Sequence, residues 1–168
     1  MCKLKIVPMN SETVNQVRRT MKAPMYGFPA HRETAAGRAP CRYCLKLIRS
    51  QKEELILFTY DAFHGQGVPP MPGPVYVHAE ECEAYSGDGA IPPEYVGQPL
   101  TFEAFGANRS RLGEQFVSGN GENDALREIF ERKDVDYVHV RSTSAGCYLF
   151  RVERVWVKEA PAASGAWR

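Results

Sequence analysis

The segment VDYVHVRSTSAGCYLFRVERVWV, residues 135–157, decides the fold of this chain. It contains two runs rich in β-branched and aromatic residues, Val135–Val140 and Tyr148–Val157, joined through the polar link STSAGC. Two such runs on either side of a short link with a glycine are typical of an antiparallel hairpin. The segment therefore predicts two strong strands within an antiparallel sheet.

Shorter apolar runs upstream predict the remaining strands. We expect Lys3–Met9 to end or lie at a sheet edge, because Pro8 cannot donate a ladder hydrogen bond. Leu45–Ile48 and Leu55–Tyr60 are expected to pair as a hairpin across the polar RSQKEE. Further strand candidates are Val75–His78, Leu100–Ala107 and Gln115–Val117. Residues 23–40 hold three prolines and two glycines, which predicts a long irregular connection.

Helical spacing of apolar residues marks two segments of the chain. The first runs from about Glu12 to Lys22, with Ser11 as the expected N-cap, and the second from about Asp124 to Arg132. The stretch AEECEAY, residues 79–85, also has helical character. The predicted fold class is therefore α+β, with a mainly antiparallel sheet and two or three helices packed on one face. We expect a single domain over residues 1–158 and a flexible tail over residues 159–168.

Composition and charge exclude several functional classes. The 21 lysines and arginines balance 20 acidic residues, so no overall field favours nucleic acid. No apolar run approaches the ~18 residues of a membrane span, and the N-terminal apolar stretch is too short for a signal peptide. We therefore expect a cytoplasmic protein whose partner is a small molecule or another protein. Five cysteines without a secretory signal favour metal binding, thiol chemistry or burial over a disulfide framework.

The sharpest local signal combines Cys41-Arg42-Tyr43-Cys44 with His78-Ala79-Glu80-Glu81-Cys82. Two cysteines three positions apart can direct both sulfurs at one ion from a tight turn, and a histidine and a cysteine four apart share one face of a helical turn. The set Cys41, Cys44, His78 and Cys82 suits tetrahedral Zn²⁺ and leaves no open position, which is the mark of a structural site. Glu80 or Glu81 is expected to hold the second imidazole nitrogen.

Two other uses of these cysteines stay open. They are either buried without a ligand, or redox-active at Cys41 and Cys44, where Arg42 and Lys46 would stabilise a thiolate. Cys2 and Cys147 have no cysteine or histidine partner at ligand spacing, so we expect both to be unligated.

Four further residues are candidates for ligand binding: Arg42, His64, His139 and Cys147. His139 is expected to be a hydrogen-bonded histidine of the sheet. His64 and Asp61 lie near a loop rich in proline and glycine, where they would form a polar corner of a pocket. Cys147 is expected to be a small buried residue, with a nucleophilic thiol as the alternative.

These residues support two functional hypotheses from different classes. The first is a zinc-stabilised binding module for a small molecule or a protein partner. The second is a thiol-dependent or redox enzyme that uses Cys41 or Cys147 with Arg42.

At PCRYCL, ELILFTYDAF, GPVYVHAEEC and YVHVRSTSAGCYLFRVER the chain resembles the bacterial family called domain of unknown function 1203 (DUF1203). The resemblance covers roughly residues 40–154, and its best motif is GCYLFRVER. It implies a small single-domain bacterial protein of similar length. It implies no activity, because the family has none assigned.

Overall fold

The computed structural model describes residues 2–66 and 69–156, without the side chains of Cys2 and Asn108, so the predicted tail at residues 159–168 lies outside the described range. This part of the chain contains ten strands and two α-helices. In chain order they are β1 (Cys2–Val7), α1 (Ser11–Thr20), β2 (His31–Thr34), β3 (Ala39–Pro40), β4 (Leu47–Ile48), β5 (Glu54–Tyr60), β6 (Gly73–His78), β7 (Leu100–Phe105), β8 (Arg111–Val117), α2 (Glu122–Glu131), β9 (Tyr137–Ser142) and β10 (Tyr148–Trp156). The pairs between these strands are antiparallel, which confirms the α+β class.

The larger sheet has five strands in the order β1-β10-β9-β7-β8. Its centre includes the predicted C-terminal hairpin, in which Val138 faces Val152 and Val140 faces Phe150. All four of these side chains are fully buried. Strand β1 lies at the edge, as the proline after it predicts. The apolar face of α2 shares one core with this sheet.

A second, three-stranded sheet has the order β2-β5-β6, and a two-stranded ribbon pairs β3 with β4. Val14 and Val17 of α1 belong to the apolar cluster of this smaller sheet, together with Phe58, Val75 and Val77. The two helices therefore pack in different cores. The expectation that both lie on one face of one sheet is wrong, because each apolar helix face is buried by a separate set of strands.

The predicted hairpin of Leu45–Ile48 with Leu55–Tyr60 is also wrong. Strand β4 pairs with β3, whereas β5 pairs with β2 and β6. The reason lies in the link between them, where the Arg49 carbonyl accepts the Glu53 amide in a single helical turn and Gln51 donates to Ala35. This turn redirects the chain into another sheet.

Two further segments differ from expectation. The connection at residues 23–40 contains the strands β2 and β3. Strand β2 was not predicted, because all four residues of HRET are exposed and show no apolar alternation. Residues 79–85 form no helix. Their irregular path is fixed instead by backbone contacts with other segments, such as the bond from the Tyr85 amide to the Tyr43 carbonyl at 3.0 Å.

Helix α1 begins one residue earlier than predicted, because Asn10 is its N-cap in place of Ser11. The Asn10 side-chain oxygen accepts the Thr13 amide at 2.8 Å. At the other end Met21 adopts a left-handed conformation with φ 50°, which ends the helix two residues before the predicted Lys22. Helix α2 runs over Glu122–Glu131 against the predicted Asp124–Arg132.

We expect Asn10→Ala to lower the free energy of unfolding by about 1 kcal/mol, because an orphan amide of the first helical turn loses its acceptor. Ser11→Ala is the matched control and should change that free energy by less than ~0.5 kcal/mol. Urea unfolding followed by circular dichroism measures both. Equal effects of the two substitutions would contradict the cap assignment.

Candidate metal centre

Cys41 and Cys44 lie on a tight turn between β3 and β4. The Leu45 amide donates to the Cys41 carbonyl at 3.0 Å, and the Cys41 amide donates to the Lys46 carbonyl at 2.9 Å. Leu45 adopts φ 58°, a left-handed conformation that the chain needs to complete the turn. The local backbone thus brings two cysteines of C-x-x-C spacing to one place.

The second half of the centre lies beside the first because the turn packs against β6. The Arg42 amide donates to the Tyr76 carbonyl at 2.9 Å, and Cys41 forms a parallel bridge with Tyr76. Strand β6 ends at His78, and the chain then leads to Cys82 without a helical turn. The predicted convergence of the two halves is therefore achieved by sheet pairing.

The four ligand atoms of Cys41, Cys44, His78 and Cys82 all lie within 4.8 Å of one another. The sulfurs of Cys41 and Cys82 are 4.0 Å apart, and the Cys44 sulfur is 3.5 Å from Nδ1 of His78. A tetrahedron with zinc–ligand distances of ~2.3 Å to sulfur and ~2.0 Å to nitrogen has edges of about 3.8 Å and 3.5 Å. The four residues are thus close enough to hold a metal ion, and all three cysteines are free thiols.

The electrostatics of the cluster favour thiolate at one sulfur. Contacts from Cys44 and then Cys82 lower the pKa of Cys41 far below its ordinary value, whereas the neighbouring Cys41 sulfur raises the pKa of Cys44. The same sulfurs of Cys41 and Cys82 raise the pKa of His78 to about 10. Protons and a metal ion compete for these atoms, so acid opposes metal binding here.

Arg18 of α1 is a member of the site that sequence reasoning missed. Its Nη2 donates to the Cys82 sulfur at 3.3 Å, and its Nε and Nη2 both donate to the His78 carbonyl at 3.1 Å. The guanidinium thus brings positive charge beside the Cys82 sulfur and holds the end of β6. No local sequence signal could have found it, because its partners lie 60 and 64 positions along the chain.

Glu53, and not Glu80 or Glu81, lies at the second imidazole nitrogen of His78. Its Oε2 is 3.5 Å from Nε2 of His78. Glu53 in turn accepts from the Arg49 amide at 2.7 Å and from the Arg49 guanidinium at 2.8 Å. These bonds lower the pKa of Glu53 to about 2, so its carboxylate is ionised and places a negative charge beside the outer nitrogen of His78, whose Nδ1 faces the Cys44 sulfur. Glu80 instead pairs with Arg32.

Arg42 and Cys147, two other predicted site residues, lie together at a cavity of about 250 Å³. Arg42 is 1% exposed, whereas Cys147 is half-buried, which corrects the expectation that Cys147 is a buried residue. Cys147 is a free thiol outside the cluster and donates to the Ala145 carbonyl at 3.5 Å. Cys41 and Cys147 are both free thiols, so no disulfide joins them, and the side chain of Cys2 lies outside the described atoms.

His64 is exposed on its loop and meets the ring of Tyr26 edge-on. The neighbouring carboxylate of Asp61 is buried and accepts from the Tyr26 hydroxyl at 2.7 Å and from the Phe63 amide at 2.9 Å. Asp61 therefore anchors the loop. The polar corner was predicted to combine Asp61 with His64. In the structure Asp61 bonds to Tyr26, and no described hydrogen bond joins the side chains of Asp61 and His64.

His139 is buried in the larger sheet as expected, but it is not fully hydrogen-bonded. Its ring packs against Phe63, Phe105, Tyr137 and Tyr148. Its Nδ1 has no hydrogen-bond partner within the described part of the chain. Burial, with smaller contributions from nearby arginines, lowers the pKa of His139 to about 3. The imidazole is therefore neutral at physiological pH.

This neutral histidine predicts a pH dependence of stability. In the unfolded chain the imidazole takes up a proton below about pH 6.5, whereas the folded chain resists protonation down to about pH 3. His139 should therefore make the fold lose stability as pH falls through that interval. His139→Phe should flatten the decline in unfolding free energy measured by urea titration, while His64→Ala should keep it. An unchanged slope in His139→Phe would show that His139 does not carry the effect.

Within the described residues, none of the helices has the length and apolar character needed to cross a bilayer. The family model for a protein of unknown function, DUF1203, matches residues 38–154 of the chain. No curated protein and no solved structure matches it significantly. The matched range contains the whole four-residue cluster, the cavity with Arg42 and Cys147, and every strand from β3 to the greater part of β10. The chain belongs to the DUF1203 family.

Proposed function

We propose that the protein is a binding module whose fold is stabilised by one structural Zn²⁺ bound to Cys41, Cys44, His78 and Cys82. The observation that carries this proposal is the convergence of three thiols and one imidazole within 4.8 Å. The two contributing segments are separated by 33 residues, so the convergence depends on tertiary packing.

The donor set supports zinc in particular. Thiolate and imidazole are soft or borderline ligands, and four of them in tetrahedral arrangement match the preference of Zn²⁺. Protein groups supply all four positions, which leaves none for a substrate or an activated water. The ion would therefore act on stability and would not act as a Lewis acid on a ligand.

The surroundings of the cluster also suit a zinc thiolate centre. Three thiolates around Zn²⁺ carry a net charge of minus one, and the Arg18 guanidinium at 3.3 Å from the Cys82 sulfur offsets it. The His78 amide donates to the Cys41 sulfur at 3.4 Å, and Glu53 lies at the outer nitrogen of His78. Such outer contacts orient ligands and strengthen metal binding.

A bound zinc ion would cross-link three segments of the chain. It would fasten the 41–44 turn to the end of β6 and to Cys82, and Arg18 would join α1 to the same point. Metal binding would then contribute directly to folding free energy. It would also hold in place Arg42, which lies within the turn and reaches the cavity described above.

The alternative, a thiol enzyme, is favoured by one observation, that Cys147 and Arg42 line the same cavity. Among the residues that line it there is no histidine or carboxylate to activate the thiol. Cys41, the other candidate nucleophile, is fully buried inside the cluster. These observations support a binding role over a catalytic one.

We expect the purified protein to contain one zinc per chain and Cys82→Ser to lose it. The melting temperature should fall with the zinc, because the thiolate that links the third segment is gone. Cys147→Ser is the matched control and should keep both zinc and melting temperature. Metal analysis by mass spectrometry beside differential scanning calorimetry measures these outcomes.

The number of cysteines that react rapidly with a disulfide reagent distinguishes the zinc-stabilised binding module from the thiol enzyme. With zinc bound, Cys41, Cys44 and Cys82 should react slowly with a disulfide reagent until a chelator is added. A metal-free wild-type protein in which Cys147 reacts fast would contradict the zinc proposal and favour the thiol enzyme.

Glu53→Gln should weaken zinc affinity by about 10- to 100-fold, because the negative charge that lies 3.5 Å from the outer nitrogen of His78 is removed. Glu81→Gln, at the position that sequence alone suggests, is the control and should leave affinity unchanged. Competition against a chromophoric chelator measures both. Equal affinities for the two variants would show that Glu53 does not support the ligand.

A further inference from the structure

Arg42 occupies the back of the cavity of about 250 Å³ that lies between the smaller and the larger sheet. Its side chain is 1% exposed, which makes it the largest fully buried side chain of the described residues. A guanidinium keeps its charge in proteins, so this burial places a full positive charge inside the molecule. Burying a charge is costly unless it is paired and hydrogen-bonded.

Only some of the N–H groups of the Arg42 guanidinium have hydrogen-bond partners. Its Nε donates to the Tyr148 carbonyl at 2.8 Å and its Nη1 to the Pro40 carbonyl at 2.5 Å. These are two of the five N–H groups that a guanidinium carries. The Tyr76 ring lies 5.5 Å from the charged carbon, but no carboxylate of residues 2–66 or 69–156 forms an ion pair with Arg42. The charge therefore lacks a counter-ion.

Tyr95 provides a second, independent observation at the same cavity. Its side chain is 2% exposed, and its buried hydroxyl has no hydrogen-bond partner within the described chain. Burial raises the pKa of Tyr95, so the hydroxyl is neutral and can donate a hydrogen bond, and its residue lines the same cavity as Arg42. An unpartnered buried hydroxyl is costly unless a ligand satisfies it.

The rest of the cavity is mostly apolar and small. Its walls include Pro40, Pro99, Leu100, Ala145 and Leu149. The volume lies just below the ~300 Å³ at which drug-sized pockets begin. Arg38 also lines the cavity, but its side chain is exposed and donates to the Glu94 carbonyl at 2.6 Å. Arg42 is therefore the one buried cation among the lining residues, and it matches one negative charge, while the apolar walls match a short hydrocarbon body.

We propose that this cavity binds a small organic carboxylate, with Arg42 as the counter-ion of the carboxylate and the Tyr95 hydroxyl as its second donor. A carboxylate accepts several hydrogen bonds at once, so it would use both the free guanidinium N–H groups and the free hydroxyl. Its apolar body would lie against the prolines and aliphatic side chains. The inference rests on the proposed binding function and names its ligand class.

The test uses the chain as purified, with its zinc content measured beforehand, and two fluorinated probes, para-fluorobenzoate and its neutral isostere para-fluorobenzamide. Ligand-observed fluorine NMR should give saturable binding of the benzoate in the millimolar range or tighter, and markedly weaker binding of the benzamide. Inorganic phosphate is added as a competitor and should displace the benzoate poorly. Equal binding of the two probes, no binding of the benzoate, or efficient displacement by phosphate would each overturn the proposal.

Tyr95→Phe isolates the hydroxyl without disturbing the fold. It should weaken the benzoate by about three- to tenfold, the loss expected for one hydrogen bond, while the melting temperature stays equal or rises. Tyr137→Phe is the matched control, because its buried hydroxyl also lacks a described partner but lies outside the cavity. It should leave the benzoate affinity unchanged. Unaltered affinity in Tyr95→Phe would refute the donor role.

Arg42→Met removes the charge and keeps much of the side-chain length, and it should abolish the preference of the cavity for benzoate over benzamide. Because this change also removes two backbone contacts, folding is checked first by zinc content and circular dichroism. If the variant fails to fold, the binding of the two probes to the wild type and to Tyr95→Phe still tests whether the cavity binds a carboxylate. Zinc bound without benzoate binding defeats only this inference, whereas benzoate binding without zinc defeats only the metal proposal.

Discussion

The packing of the 41–44 turn against β6 is the contact on which both candidate sites depend. One backbone hydrogen bond, from the Arg42 amide to the Tyr76 carbonyl, and the bridge of Cys41 with Tyr76 hold the two segments together. The Met9 amide also donates to the Arg42 carbonyl at 2.8 Å, which joins the turn to the segment before α1. The turn is thereby fixed to two parts of the fold, β6 and the segment before α1.

Neighbouring residues of this turn serve different sites. Cys41 and Cys44 join the sulfur–imidazole cluster, whereas Arg42 between them reaches the cavity on the side of the larger sheet. A change in the conformation of the turn would therefore alter both the sulfur–imidazole cluster and the cavity. A metal ion at the cluster would restrict the backbone of Arg42, and it would in this way influence a ligand in the cavity without touching it.

Local pattern predicted those elements of the fold whose partners are close in sequence. The β9–β10 hairpin follows from alternation and a short link, and both helices follow from apolar spacing within one or two residues of their bounds. The pairing of β5 with β2 and β6 was not predictable in this way, because exposed HRET carries no apolar signal and the turn at Arg49–Glu53 is closed by side-chain and backbone bonds. The strand pairing of the β2-β5-β6 sheet is determined by backbone hydrogen bonds between segments that are distant in sequence.

The sequence by itself determined which residues are chemically suited to a metal, since thiol and imidazole at Cys41, Cys44, His78 and Cys82 are recognisable from type and spacing. Only the tertiary structure decided that Arg18 and Glu53 complete that cluster, and that Tyr95 and Arg42 meet in one cavity. These side chains lie 25 to 64 positions from the residues whose charge or hydrogen bonds they serve. Sequence pattern reports periodicity within one element, whereas such charges and donors are brought together by the packing of several elements.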